Sequence, residues 1–254
     1  MLAREKEALV EELHKPARRY YPHRKFEMRG LNETFQADLV DMQLYSRENK
    51  GFKYLLTVID VFSKFAYAVP TKSKSADDIT AAMKTVLNQG RVPKKLQVDQ
   101  GSEFYNSKFE DLMKKHKIHL YSTYSNLKAS IIERFNRTLK IWMWKKFSLR
   151  SNYKWIDILP DLLKRYNGKV HRTIGMRPKN FTARHEARLL KNFSLRSKRS
   201  KPKFKLGDEV RISKYKHVFE KGYTPDFTTE VLTIVHVAPT NPVTHHLKVT
   251  KTST

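Results

Sequence analysis

The chain has 254 residues, of which 39% are hydrophobic and 11% aromatic, so it can bury a core in about two domains and is not a disordered chain. Its 51 Lys and Arg exceed its 25 Asp and Glu, and the resulting net charge of +26 indicates a polyanionic partner. Nucleic acid is the leading candidate, ahead of a membrane surface or a place in a ribosomal-type assembly. It contains no cysteine, which excludes disulfides and thiolate metal sites, and no run of the roughly 20 apolar residues that a spanning helix needs.

Residues 1–30 form a basic extension in which a short helical pattern ends at prolines. The segments that follow are rich in β-branched and aromatic residues and are joined by short turns. This pattern predicts an antiparallel meander of three strands. The strands are expected over residues 34–44, 53–62 and 64–69.

Farther along the chain, segments with helical spacing alternate with short apolar strands. Helices are predicted over residues 75–88, 107–115, 130–147 and 153–166, and strands over 95–98 and 118–121. Three hairpin strands followed by alternating helices and strands predict an α/β fold with a mixed sheet of five strands flanked by helices. The core of the chain is therefore placed at residues 31–190.

Residues 191–202 are dense in Lys, Arg and Ser and are expected to form a basic linker. A flexible connector, a phosphate contact and a nuclear-import signal all fit such a segment. Short strands separated by Gly and Pro turns then predict a small all-β barrel over residues 203–254. The sequence stops where this barrel needs another strand, so a truncated module is expected.

Three carboxylates stand at unusual positions for acidic residues in this basic chain. Asp38 lies in the middle of the first strand, Asp99 ends the fourth strand before a Gly turn, and Glu133 lies near the start of the long helix. A carboxylate in an apolar strand is costly unless it is paired or bound to a metal. A strand centre, a neighbouring strand end and an adjacent helix start can meet at one sheet edge. Three carboxylates there suit two hard divalent cations and phosphoryl transfer.

The long helix is predicted to have two faces. At 100° per residue, Arg137, Lys140 and Trp144 fall within about 40° of Glu133, whereas the apolar residues of the helix fall on the opposite side. One face then packs on the core while the other presents a carboxylate, two cations and an aromatic ring to a DNA strand. The alternative for this pattern is the solvated face of an ordinary amphipathic helix.

Four segments carry a resemblance to a known family: QADLVDM, VIDVFSKFAYAVP, VDQGSEFYNSKF and KASIIERFNRTLK. In this order they resemble the Asp, Asp and Glu blocks of the retroviral-type integrase catalytic core. The 33 residues between Asp99 and Glu133 are close to the gap in the family's D,D-35-E label. The residues of these segments are most similar to those of integrases of the Maverick/Polinton DNA transposons.

The resemblance implies a ribonuclease H-like fold for the core and an SH3-like fold for the C-terminal module. It makes Asp38, Asp99 and Glu133 the catalytic residues and metal ligands, with two Mg²⁺ or Mn²⁺ ions per active site. Arg137 and Lys140 match basic positions that hold donor DNA in this family. Two further residues are expected to contact DNA, one in the loop before the helix and one on the helix face: Lys128 and Trp144.

The resemblance also implies a function. It predicts a nuclear DNA integrase or transposase that joins the 3′ ends of a mobile element to double-stranded target DNA and works as a homo-oligomer, from a dimer to a tetramer or larger. The chain lacks the cysteines of the family's zinc domain, so a fragment or a shortened form is expected. Two departures concern DNA contacts: Gln100 replaces a frequent Asn, and residues 126–130 lack the usual Gly and Gln.

Other conspicuous residues have mainly structural interpretations. Asp60 lies outside the triad, Glu103 is either an orienting residue or a solvated turn residue, and His171 belongs to a segment that resembles a packing element of the family. Two alternative functions stay open. One is a domesticated, non-catalytic DNA- or chromatin-binding derivative of an integrase, and the other is a ribonuclease H-like nuclease that hydrolyses without joining.

Overall fold

The structure is a computed structural model that describes residues 3–17, 30–122, 129–196, 201–214, 216, 224–240 and 242–249. The chain divides into two compact units, residues 28–193 and residues 1–27 together with 194–254. The helices are α1 (Ala3–Leu13), α2 (Ala76–Leu87), α3 (Ser107–Lys115), α4 (Ser130–Arg150), α5 (Leu159–Gly168) and α6 (Glu186–Arg196). The strands are β1 (Thr34–Asp41), β2 (Tyr54–Asp60), β3 (Ala66–Thr71), β4 (Lys95–Val98), β5 (His119–Ser122), β6 (Glu209–Val210), β7 (Leu232–Ala238) and β8 (Thr244–Val249).

The larger unit is built on a five-stranded sheet in the order β3-β2-β1-β4-β5. β1, β2 and β3 form the antiparallel meander, whereas β4 runs parallel to β1 and β5 parallel to β4. One hydrophobic cluster packs α2 and α3 on one face of the sheet, and a second packs α4 and α5 on the other. This mixed sheet with flanking helices confirms the predicted architecture of the core.

Helix α4 has the two faces that its sequence predicts. Phe135 and Leu139 are 1% and 2% exposed and pack on the sheet, while Glu133, Arg137 and Lys140 are exposed. The apolar face anchors the helix, because burying such side chains stabilises the fold by about 1.5–3 kcal/mol each. The helix therefore holds its charged face at a fixed orientation beside β1.

Two predicted strands extend too far. β1 ends at Asp41 and not at residue 44, because the Asp41 carboxylate accepts a hydrogen bond from the Gln43 backbone N–H (2.9 Å) and turns the chain. β2 ends at Asp60 and not at residue 62, because the Asp60 carboxylate accepts from the backbone N–H groups of Phe62 (3.0 Å) and Ser63 (3.2 Å). Both turns depend on side-chain bonds that an apolar pattern does not reveal.

The predicted start of α5 is also wrong. The helix was expected from residue 153 but begins at Leu159. The backbone N–H groups of Trp155 and Ile156 donate to the Asn49 side-chain oxygen, at 2.7 and 3.3 Å, and so hold this stretch outside a helix. Pro160 in the first turn fits a helix start, where its missing N–H is no loss.

The smaller unit contains α1 and a three-stranded antiparallel sheet in the order β6-β7-β8. Within it, the Asp226 backbone N–H donates to the Leu13 carbonyl (2.9 Å), and Arg211 forms an ion pair with Glu12 (3.3 Å). The expected N-terminal extension thus supplies a helix to this unit. α6 continues to Arg196, so the expected linker begins as a helix. The SH3-like assignment stays a prediction. No helix in the described part of the chain has the length and apolarity to cross a bilayer.

Candidate active site

Adjacent elements of the larger unit carry the three predicted carboxylates. Asp38 is half-buried in the middle of β1, Asp99 is exposed directly after β4, and Glu133 is exposed in the first turn of α4. Gln36 of β1 stands opposite Gln97 of the parallel β4. Asp38 and Asp99 therefore follow equivalent points of two neighbouring strands.

The pKa of Asp38 places the carboxylates in one electrostatic neighbourhood. Burial is the main cause that raises this pKa, and the negative charges of Asp99 and Glu133 raise it further. Hydrogen bonds from the Leu39 backbone N–H (2.9 Å) and from Asn136 Nδ2 (2.8 Å) lower it. Coulomb interactions weaken with distance, so the influence of both other carboxylates means that they lie near Asp38.

The donor chemistry of this site fits a hard divalent cation. Asp38, Asp99 and Glu133 offer carboxylate oxygens, and a cation would offset both the burial and the repulsion that raise the pKa of Asp38. As the side chains are positioned, the described residues include no group of three His, Cys, Asp or Glu that could hold a metal ion. Metal ligation by the three carboxylates therefore stays a prediction.

A groove runs from Asp38 and Glu133 along α4. It encloses about 400 Å³ between residues 38–41 of β1 and the exposed side of α4, where Glu133, Arg137 and Lys140 line it. Trp144 is 41% exposed and packs edge-on against Tyr45, with 5.8 Å between the ring centroids. Carboxylates and cations side by side in one groove suit a polyanionic strand whose phosphate reacts at the carboxylates. Lys128, the other predicted DNA contact, lies outside the described residues.

Asn136 is a candidate site residue that the sequence analysis missed. It is 7% exposed, lines the groove, and donates from Nδ2 to Asp38 (2.8 Å). Its Oδ1 atom is buried and has no hydrogen-bond partner in the described part of the chain. The one available signal was an amide three residues after Glu133, a spacing that makes the two side chains neighbours on the helix surface. We assign Asn136 to the orientation of the Asp38 carboxylate.

Asn136→Ala is expected to raise the pKa of Asp38 further, because it removes a hydrogen bond that favours the ionised carboxylate. Carboxyl ¹³C chemical shifts followed by NMR against pH measure this. Asn167→Ala is the matched control, since among the described residues that buried amide bonds only to the Ala66 backbone. An Asp38 pKa that stays the same or falls in Asn136→Ala contradicts the assignment.

The remaining conspicuous residues have structural surroundings. Asp60 is fully buried and accepts hydrogen bonds from two backbone N–H groups and the Ser63 hydroxyl. Burial lowers the pKa of His171 to about 4, and its Nδ1 accepts from the Thr173 backbone N–H (3.2 Å). Glu103 lies so close to Gly101 that a Cβ there would come within 2.5 Å of its carboxylate.

The sequence matches known proteins over this same region. The profile of the family described as Integrase core domain matches residues 30–124. An uncharacterized transposon-derived protein of Caenorhabditis elegans is 33% identical over 205 residues, which cover 80% of this chain and 69% of that protein. The Pro-Pol polyprotein of Simian foamy virus type 1 is 33% identical over 114 residues, 44% of this chain and 10% of the polyprotein.

A solved structure shares the fold at low sequence identity. A chain of the simian T-cell lymphotropic virus intasome, in complex with PP2A regulatory subunit B56 gamma, is 16% identical to this chain. The match covers 97% of this chain and 88% of that chain, with a TM-score of 0.60. The chain belongs to the integrase core domain family.

Proposed function

We propose that this protein is the DNA integrase of a mobile element, and that it joins 3′ DNA ends to double-stranded target DNA by two-metal phosphoryl transfer. The observation that carries the proposal is a groove that Asp38 and Glu133 line together with cations of α4, with Asp99 in the electrostatic neighbourhood of Asp38. Membership of the integrase core domain family supports it.

The residues of the site would divide the work as follows. Asp38, Asp99 and Glu133 would hold two Mg²⁺ or Mn²⁺ ions, which when bound activate the attacking oxygen and stabilise the leaving oxygen. Asn136 orients the Asp38 carboxylate. Residues of the exposed α4 face would hold the phosphates of the DNA end and contact its bases: Arg137, Lys140 and Trp144.

A pre-cut DNA end, incubated with the full chain, target DNA and Mg²⁺ or Mn²⁺, tests the proposal. Joined products support an integrase. Cut but unjoined products identify a nuclease instead, and binding without either product identifies a non-catalytic DNA-binding derivative. Each outcome identifies one of the three functions that the sequence leaves open and excludes the other two.

The finer features are proposals as well. The residues of the four integrase-like segments favour a Maverick/Polinton-type element. An enzyme that acts on element and target DNA at once is proposed to be a homo-oligomer and to work in the nucleus. The smaller unit, with its predicted SH3-like module, would hold DNA, chromatin or another subunit. Its basic composition favours DNA, because phosphate contacts dominate non-specific affinity.

Replacing both Arg137 and Lys140 by Ala is expected to weaken DNA binding and to lower the slope of log affinity against log salt by about two, since each phosphate contact contributes about one. Fluorescence anisotropy over a series of salt concentrations measures the slope. Lys146→Ala is the control, because Lys146 is exposed on α4 but faces away from the groove. An unchanged slope in the double variant contradicts the assignment of these two residues.

A further inference from the structure

Two buried glutamines connect the three elements that carry the carboxylates. Gln36 of β1 and Gln97 of β4 stand opposite each other and are 1% and 3% exposed. Gln36 Nε2 donates to Gln97 Oε1 (2.9 Å), and Gln36 Oε1 accepts from the backbone N–H of Ile132 in α4 (3.0 Å). A single side-chain amide thus joins β1 both to β4 and to α4. We call Gln36, Gln97 and the Ile132 N–H the glutamine relay.

The bond to Ile132 takes the place of a local helix cap. α4 begins after Ala129, which makes no side-chain cap hydrogen bond, and the N–H groups of a first turn have no partner within their own helix. Ile132 holds the third helical position, whose N–H a capping oxygen ordinarily accepts. Gln36 supplies that oxygen from the sheet. The start of α4 is therefore fixed to β1.

Each member of the relay stands one or two residues before a carboxylate in the chain. The pairs are Gln36 and Asp38, Gln97 and Asp99, and Ile132 and Glu133. We propose that Gln36 is a positioning residue, which sets the separation of the three carboxylates by holding β4 and the start of α4 against β1. The proposal deepens the proposed function and rests on it wherever the carboxylates act as metal ligands.

Loss of the Gln36 amide has a definite physical consequence. It leaves a buried N–H at Ile132, and buried polar groups without partners are rare in folded proteins. The start of α4 is expected to shift toward other partners, and Glu133 shifts with it. Groups that orient metal ligands change metal affinity by about 10–100-fold when they are lost.

Gln36→Met in the full chain tests the proposal, because methionine keeps the length and volume of the side chain but cannot hydrogen-bond in this way. We expect Mn²⁺ affinity, measured by electron paramagnetic resonance of the free ion, to fall at least about tenfold. Hydrogen exchange at the Ile132 amide is expected to accelerate by a similar factor. The exchange measurement requires neither metal nor DNA.

Asn167→Leu is the matched control, because it also removes a buried amide with two hydrogen bonds, but these hold Ala66 of β3. It should change neither quantity by more than about twofold at a comparable loss of stability. Equal effects of Gln36→Met and Asn167→Leu overturn the proposal.

The remaining outcomes are equally decisive. If Gln36→Met does not fold, Gln97→Met still tests the relay: it removes the link to β4 and keeps the bond to Ile132, so Mn²⁺ affinity should fall while Ile132 exchange stays unchanged. Unchanged Mn²⁺ affinity in that variant contradicts the relay. If the wild-type chain binds Mn²⁺ no better than Asp38→Asn does, the proposed function fails. The positioning role is then judged by Ile132 exchange in Gln36→Met, and unchanged exchange overturns it.

Discussion

Asp99→Asn is expected to abolish strand transfer, with a loss of at least about a thousandfold, which corresponds to about 4 kcal/mol of transition-state stabilisation. The reason is that an amide lacks the negative charge that binds a divalent cation. The substitution leaves the shape of the side chain almost unchanged. Asp99 is exposed, and the one hydrogen bond of its carboxylate that the structure gives is from the Gly101 backbone N–H (3.3 Å). The fold and DNA binding should therefore stay nearly intact.

The measurement is the yield of joined product from a pre-cut DNA end with Mg²⁺, alongside DNA affinity by fluorescence anisotropy. Asp111→Asn is the matched control, since Asp111 is an exposed acid on α3 whose ion pair with Lys114 is solvent-exposed. Surface pairs of this kind contribute about 0–1 kcal/mol, so the control should join DNA at the wild-type level. Undiminished joining by Asp99→Asn would exclude Asp99 from the catalytic site. Loss of DNA binding in the same variant would indicate a damaged fold.

The sequence locates the carboxylates because their positions follow from periodicity. Alternating and helical apolar patterns place Asp38 within a strand, Asp99 at a strand end and Glu133 at a helix start, and the structure has the same elements at these residues. The same short-range signals predict the glycine turn after Asp99 and the exposed face of α4. These features depend on residues that are close in the sequence, within about one or two helical turns of each other.

The residues that orient the site could not be found in this way. Gln36 and Asn136 lie among apolar core positions, where a polar side chain has no evident local role. Their partners, Ile132 and Asp38, are 96 and 98 residues away in the chain. Only the packing of α4 on β1 brings these groups together, so the tertiary structure is required to identify them.

The errors in element boundaries have the same origin. The bond between Asn49 and the Trp155 backbone joins residues 106 positions apart and delays the start of α5. The segment containing α1 was expected to be an extension, yet the Ala17 backbone N–H donates to Asp226, 209 residues away. Helical propensity near either residue carries no information about such partners. Long-range side-chain bonds to the backbone thus limit what local patterns predict in this chain.

Asn49→Ala is expected to lower the free energy of unfolding by about 4 kcal/mol, because one buried and three partly buried backbone groups lose a partner at about 1–3 kcal/mol each. Asn49 is 2% exposed. Its Nδ2 donates to the carbonyls of Tyr45 (2.7 Å) and Tyr153 (2.9 Å), and its Oδ1 accepts from the N–H groups of Trp155 (2.7 Å) and Ile156 (3.3 Å). The side chain therefore fixes the connection between α4 and α5 to the end of the sheet.

Urea denaturation followed by circular dichroism measures the change, with the slope m checked for two-state behaviour. Asn152→Ala is the matched control in the same connection, because the Asn152 amide bonds only to nearby backbone groups at the surface and should cost less than about 1 kcal/mol. Asn49 acts at the far end of α4, about 25 Å along the helix from Glu133. Joining per folded molecule should therefore stay at the wild-type level in Asn49→Ala. A stability loss no larger than that of Asn152→Ala would mean that water replaces the Asn49 bonds, whereas a selective loss of joining would mean that this end of the helix controls the carboxylates.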